Sequence, residues 1–296
     1  MTISSVTTLS KAVLFGANDM KIKDDERYKH LIRCIKYRPE GKPLLTVGNH
    51  NSTLDDPALF GAFAPWSVDL TPRQMRWTIC SQEICFMNAA FFGSGKVLPI
   101  ERGGGIDQVQ LLKFARRMAA GTWCHIFPEG RTVQLGHMGG RMGKNEAEIG
   151  TLKWGVGKLI AHAPVRPEIV PIYHTGMQNV VPEHPVTRDV LSPKPGTGHE
   201  ITFRVGHPIV VDDLIEQYEK ANGPLWKYTP SVAKDPPRFS WRSSSKELAL
   251  YAAITRRVQT ALEALEAEAR AELGPNFPER PKIVISGEWK KLAGEE

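Results

Sequence analysis

The sequence predicts an α/β fold: a single domain with a central, mostly parallel or mixed sheet flanked by helices, closed by a long helix near the C-terminus. Three observations predict it. Short apolar runs recur along the chain, and each stops at a polar or glycine-bearing loop. Segments of helical periodicity lie between the runs. A long charged stretch near the end carries an apolar stripe at helical spacing.

The first run, residues 43–47, leads into Gly48-Asn49-His50. The second, 96–100, leads into Glu101-Arg102-Gly103. The third, 123–127, leads into Pro128-Glu129-Gly130-Arg131, and the fourth, 169–173, into His174-Thr175-Gly176-Met177. Runs this short, bounded by turn residues, read as buried strands. Residues 107–120 read as a helix with Val109, Leu112 and Met118 on one side; Asp107 and Gln110 can form a capping box, and Gly121 can close it. Residues 151–162 read as another helix, with Leu152, Val156, Leu159 and Ile160 inward. Residues 199–211 alternate in a way that predicts two strands joined near Gly206. The long helix covers 244–273, with Leu248, Tyr251, Ile254, Val258, Leu262 and Leu265 as its stripe. Ser244 and Glu247 open it, and Gly274-Pro275 ends it. The organisation is then a core over about 40–215, a loop-rich insertion at 223–243 and the terminal helix. Residues 182–199 are also loop-like. The insertion sets Trp226, Tyr228, Phe239 and Trp241 among Lys227, Arg238 and Arg242, as either a membrane-facing loop or a packed surface cover.

The chemistry concentrates where the first run stops. His50 and Asp55 stand five positions apart, between a strand exit and a helix start. Pro57 suits the first helical position and Asp56 the cap, which leaves Asp55 just outside the helix, free to fold back toward His50. An imidazole held by a carboxylate can act as a general base toward a hydroxyl. Ligands of open α/β sheets collect beyond the carboxyl ends of strands. The strand exits can therefore bring His50, Asp55, Arg102, Glu129, Gly130 and Arg131 to one cleft. An arginine fork suits phosphate oxygens, and Gly130 lets the backbone approach a ligand. An isolated HxxxxD spacing arises by chance, and Arg102 or Arg131 alone would be a solvated surface charge. Their joint placement at strand exits is what favours a site.

Composition narrows the partners. The chain has 296 residues, 41% of them hydrophobic, and a net charge of +6. A mild basic excess favours anionic partners such as phospholipid headgroups. No arginine-rich run is interleaved with aromatics, which argues against nucleic acid. The four cysteines form no C-x-x-C pair, so neither a disulfide framework nor a zinc site is expected, and Cys124 reads as a small core residue. His125 and His174 read as structural. No bound metal or cofactor is expected. Residues 139–144 resemble a phosphate loop, but Met138 stands where its first glycine belongs and Asn145 replaces the hydroxyl residue. G-x-S-x-G and H-E-x-x-H are both missing. No segment is long and apolar enough to span a bilayer, and the N-terminus carries no clear signal or transit peptide. Two stretches, 59–66 and 86–92, are apolar enough to be either core helices or shallow insertions into one leaflet, with Trp66 or Phe91 at the interface.

Taken in order, the blocks resemble a known family. His50 to Asp55, Leu98 to Gly103, Phe127 to Arg131 and Val170 to Met177 are similar to the HxxxxD block, arginine block, FPEG block and proline-bearing strand of the glycerolipid acyltransferases. Finer stretches, among them 75–78, 83–86, 123–130 and 152–157, resemble the tafazzin branch, the phospholipid–lysophospholipid transacylases. The likeness covers about residues 40–215, and segment 223–243 departs from it. It implies acyl transfer to a glycerol hydroxyl, with His50 and Asp55 catalytic and Arg102, Glu129, Gly130 and Arg131 on the substrate phosphate. It further implies phospholipid and lysophospholipid substrates such as cardiolipin, no CoA, and peripheral or one-leaflet attachment to mitochondrial membranes. Two alternatives stay open: an acyl-CoA-dependent lysophosphatidate-type acyltransferase, and a non-catalytic lipid-binding protein of the same fold.

Overall fold

The computed structural model describes residues 2–63, 74–134, 152–183, 190–192, 194–228 and 242–277. Its centre is a mixed five-stranded sheet in the order β1 (Asp19–Ile22), β7 (Glu200–Val205), β6 (Glu168–Thr175), β2 (Leu44–Gly48) and β5 (Trp123–Ile126). β6 and β7 are antiparallel; the other neighbours are parallel. Residues of β2 alternate between two cores, because successive side chains of a strand point to opposite faces. Leu45 and Val47 pack on one face with α6 (Val109–Ala119), α7 (Gly155–Ala161), α9 (Asp212–Asn222) and α10 (Ser245–Leu273). Leu44 packs on the other with α2 (Glu26–Tyr37), α3 (Asp55–Phe63) and α8 (Met177–Val180). The helix α1 (Thr2–Lys11) lies along α3. Gly61 of α3 approaches Ser10 so closely that a Cβ there would clash with its side chain.

The run at 96–100 does not join the central sheet. It forms β4 (Val97–Ile100), paired in parallel with β3 (Thr78–Ser81), a strand that hydrophobic runs alone do not reveal. Trp77 stitches this ribbon to the edge of the main sheet. Its N–H donates to the Trp123 carbonyl at 2.8 Å, and its own carbonyl accepts from the His125 N–H at 2.8 Å.

The long helix is as expected, with the Ser244–Glu247 capping box formed. Its stripe is buried apart from Leu248, which is only partly so. Other elements differ. α6 starts two residues later than its pattern predicts: of the expected stripe Leu112 and Met118 are buried, together with Leu111, Phe114 and Ala115, while Val109 is exposed. Asp107 caps nothing, because its carboxylate is taken by the Lys158 ammonium at 2.5 Å and the Ser243 hydroxyl at 2.7 Å. Gly121 does close the helix, at φ +70°. The segment 199–211 holds one strand instead of two. Beyond Val205 only the N–H groups of Gly206 and Ile209 bond to the flank of β6; Pro208 has no N–H to donate, which stops a second ladder. The helix expected at 151–162 spans Gly155–Ala161, with Leu152, Val156, Leu159 and Ile160 buried as expected. Trp226 and Tyr228 pack against His162 as a surface cover. Phe239, Trp241, Trp66 and residues 139–144 lie outside the described residues.

Gly157 is where α7 touches α10: a Cβ there would collide with the Tyr251 carbonyl oxygen. Gly157→Ala should lower the thermal unfolding midpoint, at a cost of about 1–3 kcal/mol for overpacking. Gly155→Ala, whose Cβ would meet only Leu111 at 3.6 Å, should leave the midpoint unchanged or raise it. Circular dichroism melts of the two variants check this.

Candidate active site

The parallel register places three chain exits side by side. Val47 is level with Ile126, and Gly48 with Ile172. The two residues after β2 therefore lie beside the turn after β5 and the last residues of β6. Asn49 locks this arrangement. Its side-chain carbonyl accepts from the His174 N–H at 3.0 Å, and its amide donates to the His174 carbonyl at 2.9 Å. Asn51 adds a second donor to the same carbonyl at 3.1 Å.

Asp55 is the convergence point. Helix α3 begins at Asp55, two residues before the start that Pro57 predicts, so this residue sits in the first turn and not outside it. Its carboxylate still folds back. One oxygen, Oδ2, accepts from the backbone N–H groups of Asn51 at 2.6 Å and Ser52 at 2.8 Å. The same oxygen meets His50 Nδ1 at 2.9 Å and His174 Nε2 at 3.4 Å. Anions are favoured at a helix N-terminus, which explains why the carboxylate can be fully buried there. Burial by itself would raise its pKa. The His174 and His50 imidazoles outweigh that and hold the carboxyl well below the usual range.

His50 is fixed from four sides. Asp55 takes Nδ1, and the ring stacks on Phe127 with centroids 4.2 Å apart and planes 11° off parallel. Its backbone N–H donates to Glu129 Oε1 at 3.0 Å, and its carbonyl accepts from the Val133 N–H at 2.7 Å. With Nδ1–H donated to Asp55, Nε2 carries the lone pair. The side chain is 19% exposed, enough to meet a ligand. Burial disfavours the charged ring, yet the Asp55 hydrogen bond and charge prevail and raise its pKa.

The other expected residues fall in different places. Glu129 is buried beside His50, and its Oε1 accepts from the His50 backbone N–H. Gly130 adopts φ +71°, the left-handed turn conformation, and its N–H closes the turn onto Phe127. Arg131 follows it, half-buried. Arg102 is exposed in the loop after β4. That loop is held by Gln108, whose side chain bonds the backbone of Glu101 and Gly105. Among the described residues Arg102 makes no contact with His50 or Asp55.

Asn49, Phe127 and His174 belong to the site without having been predicted there; only the β2–β6 register brings them in. Arg76 is another. It forks onto Asp56, with Nε to Oδ1 at 2.9 Å, and lies 4.9 Å from the Phe60 ring. The Asp55-Asp56 doublet was the available signal, since only one of the two can face His50. Beside this pair opens a largely apolar cavity of about 360 Å³, lined by Ile32, Ile35, Phe60, Phe63, Phe91 and Phe92 among others. It does not touch His50 directly. A run of ring contacts, Phe60 to His125 to Phe127 to His50, joins the two at centroid spacings of 4.5, 4.3 and 4.2 Å. Burial, with Arg76 nearby, keeps His125 neutral.

The two apolar stretches part company. In the first, Leu59, Phe60 and Phe63 are core. In the second, α4 (Gln82–Cys85) and α5 (Ala89–Ser94) leave Phe86 65%, Met87 83% and Phe91 45% exposed. Among the described residues no helix is long and apolar enough to cross a membrane.

The chain resembles known proteins along most of its length. Residues 31–175 match the family model "Acyltransferase". The chain is 33% identical over 278 residues to an N-acylphosphatidylethanolamine synthase of Arabidopsis thaliana, covering 90% of this chain and 92% of that protein. It is 36% identical to the tafazzin of Drosophila melanogaster over 75% of this chain, which spans about half, 54%, of the fly protein. It is 28% identical to the tafazzin of Saccharomyces cerevisiae over 96% of this chain and 80% of the yeast protein. The His50–Asp55 pair and the FPEG turn fall inside the matched segment, and the chain belongs to the acyltransferase family.

Proposed function

We propose that this acyltransferase moves an acyl chain from an intact phospholipid to the free hydroxyl of a lysophospholipid, without CoA. The observation that supports this most is a polarised histidine, with Nε2 open, joined by ring contacts to an apolar cavity that borders the exposed Phe86–Phe91 surface. An acyl chain drawn from a bilayer needs such a lining; a CoA nucleotide needs a polar one. By resemblance to the tafazzins, the substrate pair is cardiolipin with its monolyso form, and the location is the mitochondrial membrane.

In the proposed reaction, His50 Nε2 takes the proton of the acceptor hydroxyl as that oxygen attacks the donor ester carbonyl. Asp55 keeps the proton on Nδ1 and stabilises the imidazolium that forms. Collapse of the tetrahedral intermediate breaks the bond to the donor glycerol oxygen. That oxygen takes the proton back from His50, leaving a new ester and a new lysophospholipid. No acyl-enzyme forms. We assign Glu129 to holding the His50 backbone, Gly130 to shaping the turn, and Arg131 with Arg102 to the substrate phosphate.

A second reading has its own support in the widely matching plant relative, whose name describes N-acylation of phosphatidylethanolamine. The same base would serve an amine acceptor, and the product would be an amide. One assay separates these readings. Purified protein is incubated with acyl-labelled phosphatidylcholine and either a lysophospholipid or phosphatidylethanolamine, with no CoA. Alkali-labile label in the lysophospholipid is expected, and His50→Ala should cut the rate by about 10²–10⁴-fold. Alkali-resistant label would establish the amide. Transfer only from labelled acyl-CoA, supplied in place of the labelled phosphatidylcholine, would make the enzyme a lysophosphatidate-type acyltransferase. Specific lipid binding with no turnover under any condition would leave a non-catalytic protein.

The base must be neutral to act, and Asp55 raises its pKa. Activity should therefore climb with pH on an acid limb lying above the ordinary histidine value of about 6.5. In Asp55→Asn the limb should move to lower pH, since the largest contributions opposing burial are lost and only the charges of Glu129 and Asp56 still oppose it, and the rate should fall sharply because tautomer control weakens. Stability carries the opposite signs. The raised His50 pKa contributes below its unfolded value and is lost as pH rises through the folded one. The lowered Asp55 pKa contributes above the ordinary carboxylate value and is lost as pH falls through its folded one. A pH–kcat/KM profile of both proteins tests the assignment, and an unmoved limb would count against it.

Attachment should be peripheral, through the exposed aromatic surface. Phe86→Ser and Met87→Ser should each weaken binding to anionic vesicles by about tenfold, the scale set by burying one large apolar side chain. High salt should release only part of the wild-type protein. Vesicle flotation reads both. Complete release by salt would reduce the attachment to electrostatics.

A further inference from the structure

Far from His50, three metal-binding donor types meet. His30 and Cys34 are four residues apart on α2, so both side chains lie on one helix face. Glu168, the first residue of β6, faces them. His30 Nε2 stands 3.0 Å from Glu168 Oε1 and 3.3 Å from Cys34 Sγ. All three donor atoms lie within 4.8 Å of one another. A tetrahedral zinc with bonds of about 2.0–2.3 Å needs donor–donor edges of about 3.3–3.6 Å, so small side-chain shifts would admit the ion. The i, i+4 spacing on α2 brings the thiol to the imidazole, and the start of β6 adds the carboxylate from a different element.

We propose that His30, Cys34 and Glu168 form a divalent transition-metal site, with zinc the best match and water as the fourth ligand. Nitrogen and sulfur donors select against magnesium and calcium. Binding displaces the Cys34 thiol proton to solvent and changes no oxidation state. Thiolate and carboxylate then neutralise the ion, and Lys42 Nζ, 4.0 Å from Glu168 Oε2, stays outside as a partner of the other carboxylate oxygen. His30 is 33% exposed and Glu168 27%, so the ion has a way in. The site lies at the opposite end of β6 from His174, about 20 Å away along the strand. It takes no part in acyl transfer. The ion would tie α2 to the sheet, and α2 supplies Ile32 and Ile35 to the wall of the apolar cavity.

The test uses the full chain, stripped with a chelator and titrated with cobalt(II), a spectroscopic stand-in for zinc. One equivalent should give a thiolate-to-cobalt charge-transfer band and tetrahedral visible bands, both bleached by zinc. Cys34→Ser should abolish the charge-transfer band, while Cys80→Ser should keep it. His30→Ala and Glu168→Gln should weaken binding by about tenfold or more. Zinc should raise the melting midpoint of the wild-type chain but not of Cys34→Ser, with circular dichroism confirming that each variant is folded. A folded wild-type chain that shows no charge-transfer band at saturating cobalt overturns the proposal, whatever the variants do. So does a band that survives in Cys34→Ser.

Discussion

A single buried oxygen, Asp55 Oδ2, organises the candidate active site. Two backbone N–H groups and two imidazoles converge on it. A carboxylate without those partners could not stay charged inside the protein; with them, its charge becomes the device that orders everything around it. It wraps residues 50–52 around the start of α3, so that backbone conformation and tautomer are set together. Removing one member of such a buried set leaves the rest uncompensated, a cost of about 3–5 kcal/mol in comparable buried pairs. The geometry of the candidate site and the local stability of this turn are therefore one quantity, and the Asn49–His174 bridge supports it from β6.

The sheet explains why that turn faces a usable cleft. β2 lies between β5 and β6, parallel to both, so three carboxyl ends open on the same side. The turn after β5 supplies Phe127 as a stacking surface and Glu129 as an acceptor for the His50 amide. A one-residue slip in either pairing would exchange the faces and move these groups out of reach. The same alternation separates the two cores. One anchors α10, and the other carries α2 and α3 and walls the cavity.

Polarity is divided in a way that suits a lipid substrate. Phe86, Met87 and Phe91 project into solvent near the apolar cavity, while Phe60 and Phe63 of the neighbouring helix are interior. Exposed aromatic side chains in a cluster mark a contact surface more often than an accident of folding. In the proposed attachment, the chain's formal net charge of +6 would favour approach to anionic lipid, and burial of these side chains would complete it. The acyl chain and the reacting hydroxyl would thus approach His50 from chemically different surroundings.

The sequence by itself determined the local features. The strand exits, the long helix with its capping box, and the closeness of His50 and Asp55 all follow from contacts within a few residues, where side-chain type and spacing suffice. Even there the helix start moved, because Asp55 draws the Asn51 and Ser52 amides and allows α3 to begin before Pro57. What depends on strand register was not legible. His174 is distant from Asp55 in sequence and meets it only because β6 pairs with β2. Arg102 leaves a strand of the separate β3–β4 ribbon, which an apolar run cannot distinguish from a strand of the main sheet. The contact of Glu129 with the His50 amide, and the meeting of His30, Cys34 and Glu168, carry no motif spacing. Spacing along the chain encodes the period of an element, but which elements touch is decided by long-range pairing and by where each helix settles in the core.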